Sequence, residues 1–362
     1  MTLYVDKYRP RDLDSIDYHK KQAAWLKRLA QGGDLPHLLI YGPPGSGKKT
    51  RVMATLKELY GGGVDRLRIE QQVFTTQSKK KIELRTLSSN YHIEVNPSDV
   101  GNQDRVVIQE LLKGIAQTHN VAVQAQQDKE ERKKTFKVVI LTEVERLSKE
   151  AQHALRRTME KYMASCRLIL MCNSTTKVIP AIRSRCLGLR VPAPTAHEIV
   201  GILQGISKRE NLSLPEELAK RIAAESYGNL RKAILMLEAI RVKQFPFAPN
   251  QDVILPDWEV YIRDTANEII KEQSPQKLFA VRERIYELLS HLVPPQLLFE
   301  ELVQRLLEKT DDSLKKRVIS EAATYEHRMQ LGSKPIFHIE AFIAKYMALY
   351  REYQEEAVAM FD

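Results

Sequence analysis

The chain predicts an α/β domain built on a parallel sheet, with an all-α remainder. Three observations carry that expectation. A glycine-rich loop, Gly42-Pro43-Pro44-Gly45-Ser46-Gly47-Lys48-Lys49-Thr50, lies between an apolar run and a helical pattern. Two further apolar runs, Val138-Val139-Ile140-Leu141 and Leu168-Ile169-Leu170-Met171-Cys172, have the character of strands buried on both faces. Beyond residue 250 only helical periodicities occur.

The loop follows Leu38-Leu39-Ile40-Tyr41 and leads into a helix with Val52, Met53, Leu56 and Leu59 on one side. Strand, glycine-rich loop, helix is the context that makes G-x-x-x-x-G-K a phosphate cradle rather than a plain turn. Backbone N–H groups converge on the phosphates, the helix N-terminus adds partial positive charge, and Lys48 is placed to reach the β- and γ-phosphates. The next position departs from the pattern. A Ser or Thr hydroxyl serves there as a magnesium ligand, and this chain has Lys49. Thr50 is no substitute, because one helical step rotates a side chain by about 100°.

Before the loop, residues 5–10 precede a helical stretch over 19–31. After the loop helix, 67–69 and 92–95 read as strands, separated by a polar segment over 75–90. That segment contains Lys79-Lys80-Lys81, read as a solvated turn in preference to a nucleic-acid contact. Residues 104–117 form a helix with Val107, Leu111 and Ile115 as its stripe, and 117–135 is a polar surface insertion.

The strand at 138–141 is followed by Thr142-Glu143-Val144-Glu145. Nucleotide hydrolases end this strand with an Asp that holds Mg²⁺ and a Glu that orients the attacking water. Thr142 takes the Asp place and Glu143 keeps the Glu place, so both protein groups expected around the metal are altered. With the Lys49 ammonium near where the metal charge would sit, the site is expected to hold nucleotide with little need of Mg²⁺, and to turn it over slowly or not at all.

Ser148 caps a helix over 148–162, which buries Leu155, Met159 and Tyr162 and carries Arg156, Arg157 and Lys161 elsewhere. The strand at 168–172 delivers Asn173 at its carboxyl end, the edge where open α/β sheets bind ligands. Val191-Pro192-Ala193-Pro194 is a linker, and a helix pair over 215–226 and 230–243 follows, the second capped by Asn229. Arg231 falls in its first turn, where a cation is disfavoured unless an anion is near; it points at a phosphate or is simply solvated. After Phe245-Pro246-Phe247-Ala248-Pro249, five helices are expected over 258–273, 275–292, 295–310, 313–331 and 335–353. The boundaries are therefore 1–192 for the nucleotide domain, 193–250 for a helical lid and 251–362 for a helical assembly domain.

At 362 residues the chain can build several cores. With 56 basic against 46 acidic residues it carries a net charge of +10, which favours a polyanionic partner. Cys166, Cys172 and Cys186 show no metal-ligand spacing and read as reduced thiols, which excludes a disulfide framework. No run reaches the roughly 18–20 apolar residues of a membrane span, and the polar, aromatic first ten residues do not read as a signal peptide.

Val5-Asp6-Lys7-Tyr8-Arg9-Pro10, Ala154-Leu155-Arg156-Arg157-Thr158-Met159-Glu160, Ser184-Arg185-Cys186 and Gly228-Asn229-Leu230-Arg231 together resemble an AAA+ module, specifically the small subunits of eukaryotic replication factor C. Lys48-Lys49-Thr50, Asn96-Pro97-Ser98-Asp99, Leu331-Gly332-Ser333-Lys334 and Phe337-His338-Ile339-Glu340 narrow the resemblance to the small subunit whose nucleotide site is degenerate.

The resemblance implies that the site binds ATP or ADP, with Val5, Tyr8, Arg9 and Pro10 bordering the adenine. It makes Asn173 a sensor beside the γ-phosphate, Arg231 a second sensor from the lid, and Arg185 an arginine finger for a neighbour's nucleotide; Glu143 is residual. It further implies a nuclear complex with four other subunits, held by a helical collar, that opens a sliding clamp, the proliferating cell nuclear antigen, and loads it on primer–template DNA in replication and repair. Arg105, Lys113, Arg156 and Arg157 are then candidates for DNA phosphates, and Arg156 and Arg157 equally for bridging subunits. Two other readings are a self-sufficient AAA+ remodeller or helicase loader, opposed by Lys49 and Thr142, and a scaffold with an empty site, opposed by the intact Gly42, Gly45, Gly47 and Lys48.

Overall fold

The computed structural model describes residues 2–75, 81–125, 136–163, 165–248 and 251–359. They fall into two compact units, Met1–Val253 and Ile254–Asp362. Lys79 and Lys80, and residues 126–135 of the expected insertion, lie outside the described residues.

In the first unit a short helix α1 (Tyr4–Lys7) and helix α2 (Lys20–Gln31) precede strand β1 (Leu38–Tyr41) and the loop helix α3 (Lys48–Tyr60). Next come β2 (Arg68–Thr75), β3 (Lys81–Ser88), β4 (His92–Val95) and α4 (Asp104–Ala125). The chain continues through β5 (Lys137–Leu141), α5 (Lys149–Lys161), β6 (Cys166–Cys172), the single turn α6 (Pro180–Arg183) and β7 (Leu187–Arg190).

The strands form one sheet in the order β2-β3-β4-β5-β6-β1-β7. From β4 to β7 every pairing is parallel, and β2–β3 and β3–β4 are antiparallel. The apolar runs have the burial expected of strands covered on both sides. Leu38, Ile40, Val138, Ile140 and Ile169 pack with Leu26, Val52 and Leu56 of α2 and α3. Their neighbours Leu39, Val139, Leu141, Leu168 and Leu170 pack with Val107, Leu111 and Leu155 of α4 and α5 on the opposite face. Alternation places successive residues in different cores, so each run must be apolar throughout. Register then fixes the site. Tyr41 lies opposite Cys172, and Val95 lies opposite Leu141, so the strand ends that carry Gly42, Asn96, Thr142 and Asn173 share one edge.

Three expectations need correction. The segment read as polar between two strands contains the β2–β3 hairpin, in register from Arg68 opposite Ser88 to Thr75 opposite Lys81. It lies at the sheet edge, where Ile69 and Val73 stay exposed and Phe74 and Leu84 turn inward, so no long apolar run marks it. Helix α4 runs to Ala125 rather than ending at 117, because the polar residues that suggested a loop include no Pro and no Gly after Gly114 to stop it. The lid has three helices, α7 (Ala196–Arg209), α8 (Glu216–Glu225) and α9 (Leu230–Lys243), not a pair. The first begins with a capping box: the Glu198 amide donates to Thr195 Oγ1 (3.3 Å) and the Thr195 amide donates to Glu198 Oε2 (2.8 Å).

The second unit holds α10 (Asp257–Lys271), α11 (Pro275–Ser290), α12 (Pro295–Glu308), α13 (Asp312–Leu331) and α14 (Pro335–Ala359). Ile262, Ile269, Leu298, Phe299, Leu302, Val318, Ile339 and Phe342 form their core. Ser274 accepts from the Lys277 amide (3.2 Å) and Pro275 opens α11, as that sequence predicts. Among the described residues no helix is long and apolar enough to cross a membrane.

Candidate nucleotide site

β1 stops at Tyr41 and the chain crosses the sheet edge through 42–47 before α3 begins. Gly45 and Gly47 have φ of +71° and +83°, a region that L side chains rarely enter. Neither tolerates a side chain: a Cβ on Gly45 would stand 1.8 Å from Asn229 Oδ1, and one on Gly47 would stand 2.1 Å from the Tyr18 hydroxyl. Asn229 is also the cap of α9, accepting from the Lys232 amide at 3.1 Å. The start of the lid helix therefore rests directly on the loop.

A cavity of about 640 Å³ opens at this edge. Its lining includes Val5, Tyr8, Arg9 and Pro10, residues 44–50, and Thr142, Glu143, Asn173 and Arg231. The geometry thus brings together Pro44, Gly45, Ser46, Gly47, Lys48, Lys49 and Thr50 with residues from four other segments. Gly42 and Pro43 stand behind this wall, where their carbonyls accept from Lys48 Nζ at 2.7 and 2.8 Å. Lys48 Nζ also donates to Asn173 Oδ1 (3.0 Å). Burial holds the Lys48 ammonium below its ordinary pKa, and the Glu145 carboxylate works in the opposite direction.

Glu145, which sequence reasoning passed over, accepts from the Asn173 amide at 3.0 Å. It therefore positions the residue that touches Lys48. Its place three residues beyond Thr142, at the end of β5, was the available signal.

The metal-ligand positions do not fit a divalent ion. Lys49 Nζ pairs with Glu94 Oε1 at 2.6 Å, a carboxylate on β4 that is only 13% exposed. Thr142 offers a neutral hydroxyl, turned to the Val95 carbonyl at 3.4 Å. Glu143 sits at φ +53° and is occupied, accepting from Ser98 Oγ (3.1 Å) and pairing with Arg146 (3.0 Å). Cys172 also lines the cavity, but burial pushes its thiol up to about 12, so it supplies no thiolate near neutral pH.

The segment at 5–10 is fastened to the lid. The Tyr4 amide donates to Glu238 (3.1 Å), Lys7 and the Tyr8 hydroxyl both donate to Glu210, and the Arg241 guanidinium lies over the Tyr4 ring at 5.5 Å. Glu210, at the end of α7, and Glu238, on α9, carry no local sequence signal for these contacts, which join residues more than 200 apart in the chain.

Arg185 does not line the cavity. It lies against α5, its Nε donating to Glu160 (2.7 Å) and its Nη1 to the Ala181 carbonyl (2.8 Å). Arg105, Lys113, Arg156 and Arg157 are exposed on α4 and α5, which pack together. Arg105 lies 3.6 Å from Glu150 and Arg156 3.7 Å from Glu160.

A parallel-dominated sheet with a phosphate loop at its carboxyl edge and a helical lid resting on that loop is an AAA+ nucleotide-binding module. A Thermotoga maritima RuvB variant shares this fold, with a TM-score of 0.50 and 18% identity, over 83% of this chain and 91% of that one. Family models match in three places: "DNA polymerase III, delta subunit" over residues 18–195, "RCF1/5-like, AAA+ ATPase lid domain" over 201–242, and "Replication factor C subunit 3, C-terminal domain" over 258–354. Human replication factor C subunit 3 is 58% identical over 358 residues, 99% of each chain. Replication factor C subunit 5 of rice is 51% identical over 97% of this chain and 98% of that protein, and that of Schizosaccharomyces pombe 46% over 96% of each. The chain belongs to the replication factor C subunit 3/5 family.

Proposed function

We propose that this chain is the clamp-loader subunit that keeps ATP or ADP in a site without a metal clasp and supplies an arginine to the nucleotide of a neighbour. The Lys49–Glu94 pair carries the reading. A cation fixed at 2.6 Å to its own carboxylate occupies the position of the metal-binding hydroxyl, and Thr142 leaves no carboxylate at the strand end. Glu143 holds Ser98 and Arg146 through one oxygen, Oε2, which draws its carboxylate into a local pair. Binding then relies on the loop amides, Lys48 and Arg231, with Val5, Tyr8, Arg9 and Pro10 against the base and Asn173 beside the terminal phosphate.

In this reading Arg185, exposed and outside its own cavity, acts across a subunit contact, where a guanidinium neutralises charge developing on a transferring phosphoryl group. The assembly has four other subunits, joined through the helical part at 251–362. It opens the sliding clamp on primer–template DNA in the nucleus, with 1–192 and 193–250 as nucleotide domain and lid. Arg105, Lys113, Arg156 and Arg157 form a basic surface suited to a DNA backbone.

The test is reconstitution of the five-subunit complex with Arg185→Ala in this chain. We expect assembly to be preserved, and ATPase activity and clamp loading to fall by at least a hundredfold. Unchanged ATPase in the assembled complex would remove the role given to Arg185.

A further inference from the structure

Among the described residues Arg51 is the largest fully buried side chain, at 0% exposure. It lies one turn into α3, behind the phosphate loop. Its Nη2 donates to the Tyr18 carbonyl (3.1 Å), and its Nη1 donates to the Ser46 carbonyl (3.2 Å), with the Gly47 carbonyl at 3.5 Å. The guanidinium stacks 4.4 Å from the Tyr18 ring, whose hydroxyl donates to the same Ser46 carbonyl at 3.1 Å. Its Nε finds no acceptor, and no carboxylate pairs with it among the described residues. A permanent cation held in the interior by carbonyls alone is costly unless an anion joins it. Arg51 lies next to the nucleotide cavity without surface in it, and the first turn of α3 already carries Lys48 and Lys49 at the helix end where cations are disfavoured.

In a trans peptide the C=O and N–H point in opposite directions. A guanidinium that grips the Ser46 and Gly47 carbonyls from behind therefore turns the Gly47 and Lys48 amides toward the cavity, and polarises them as donors. We propose that Arg51, with Tyr18 as its platform, is a positioning residue for the phosphates: it sets and charges the loop amides that bind the second phosphate of a magnesium-free nucleotide. This deepens the proposed function and rests on it. Arg51 does not touch the ligand. It acts through two peptide groups and supplies a fixed positive charge that the absent metal clasp does not.

The experiment compares ADP and AMP in EDTA, as competitors of ADP carrying a fluorescent ribose label, on the 362-residue chain and on Arg51→Met. The gain in affinity that the second phosphate confers is expected to shrink at least tenfold in Arg51→Met, with AMP affinity changed less than threefold. Equal weakening of ADP and AMP would reduce Arg51 to a structural role and overturn the proposal, as would an unchanged ADP affinity. If Arg51→Met does not fold, Tyr18→Phe decides. It keeps the ring and the guanidinium, removes one donor from the Ser46 carbonyl, and is expected to lower the same increment at least threefold; no loss there overturns the proposal. Failure of the wild-type chain to take up ADP at all would overturn the proposed function itself, a result distinct from binding that survives Arg51→Met.

Discussion

Lys49 and Glu94 show how one substitution becomes a different site. In a metal-dependent cradle the residue after the loop lysine lends an oxygen; here it lends an ammonium, and the fold supplies a carboxylate from β4, three strands from β1, to hold it at 2.6 Å. Restoring oxygen ligands should restore the metal. We predict that Lys49→Thr with Thr142→Asp makes ADP binding at least tenfold tighter in Mg²⁺ than in EDTA. Calorimetry checks this, and equal affinity in both buffers would show that these two positions do not set metal use.

Lys48 gives a pH dependence. Its pKa is lowered from 10.5, chiefly by burial. In the window below 10.5 the unfolded chain holds this proton more firmly, so the residue opposes folding at lower pH and that penalty fades as pH rises through the window. Phosphate binding needs the charged form, so nucleotide affinity should decline as pH rises through the lowered pKa, before 10.5 is reached. Titrations in buffers of different ionisation enthalpy should show net proton uptake on the alkaline side.

Of the site, the sequence made legible the loop, Lys49, Thr142, Asn173 and Arg231, because each stands at a fixed offset from a strand end or a cap. Glu94 and Arg51 were not legible. Their roles come from register between β4 and β5 and from burial behind the loop, and neither is encoded in local spacing.

At the scale of elements, α4 and α5 are joined by one buried carboxylate. Asp104, 2% exposed, accepts from the Ser148 amide (2.7 Å), Ser148 Oγ (2.9 Å) and the Arg105 amide (2.7 Å). Ser148 Oγ in turn accepts from the Ala151 amide (3.1 Å), so the cap of α5 is itself held in place by the first residue of α4. Asp104→Ala leaves those donors unpaired and should cost about 2 kcal/mol. Urea unfolding would read this as a lower midpoint, with ADP affinity within twofold of the parent; unchanged stability would mean that the two helices need no such tie. The elements themselves were readable in proportion to their burial. β1, β5 and β6 fill two cores and announce themselves as apolar runs, whereas the β2–β3 hairpin leaves Ile69 and Val73 in solvent and looks like a loop. Helix α7 follows Pro192 and Pro194 so closely that the segment reads as linker, and its only local start signal is the Thr195–Glu198 capping box.

For the whole molecule, the proposal is of a phosphate cradle kept without the groups that run hydrolysis. Gly45 and Gly47 meet the lid cap and Tyr18 at contacts that exclude a Cβ, Thr142 stands where an Asp is expected, and Glu143 holds Ser98 and Arg146. Under the proposed function such a subunit would act through its neighbours, contributing bound nucleotide, a helical assembly surface and Arg185. The net charge of +10 suits it to a polyanion-binding complex. In the proposed function this pocket takes nucleotide without a divalent ion. Calorimetric titration of ADP into the purified chain, in EDTA and then in Mg²⁺, tests it most directly. We predict affinities within threefold of one another, and binding that appears only when Mg²⁺ is present would contradict the account.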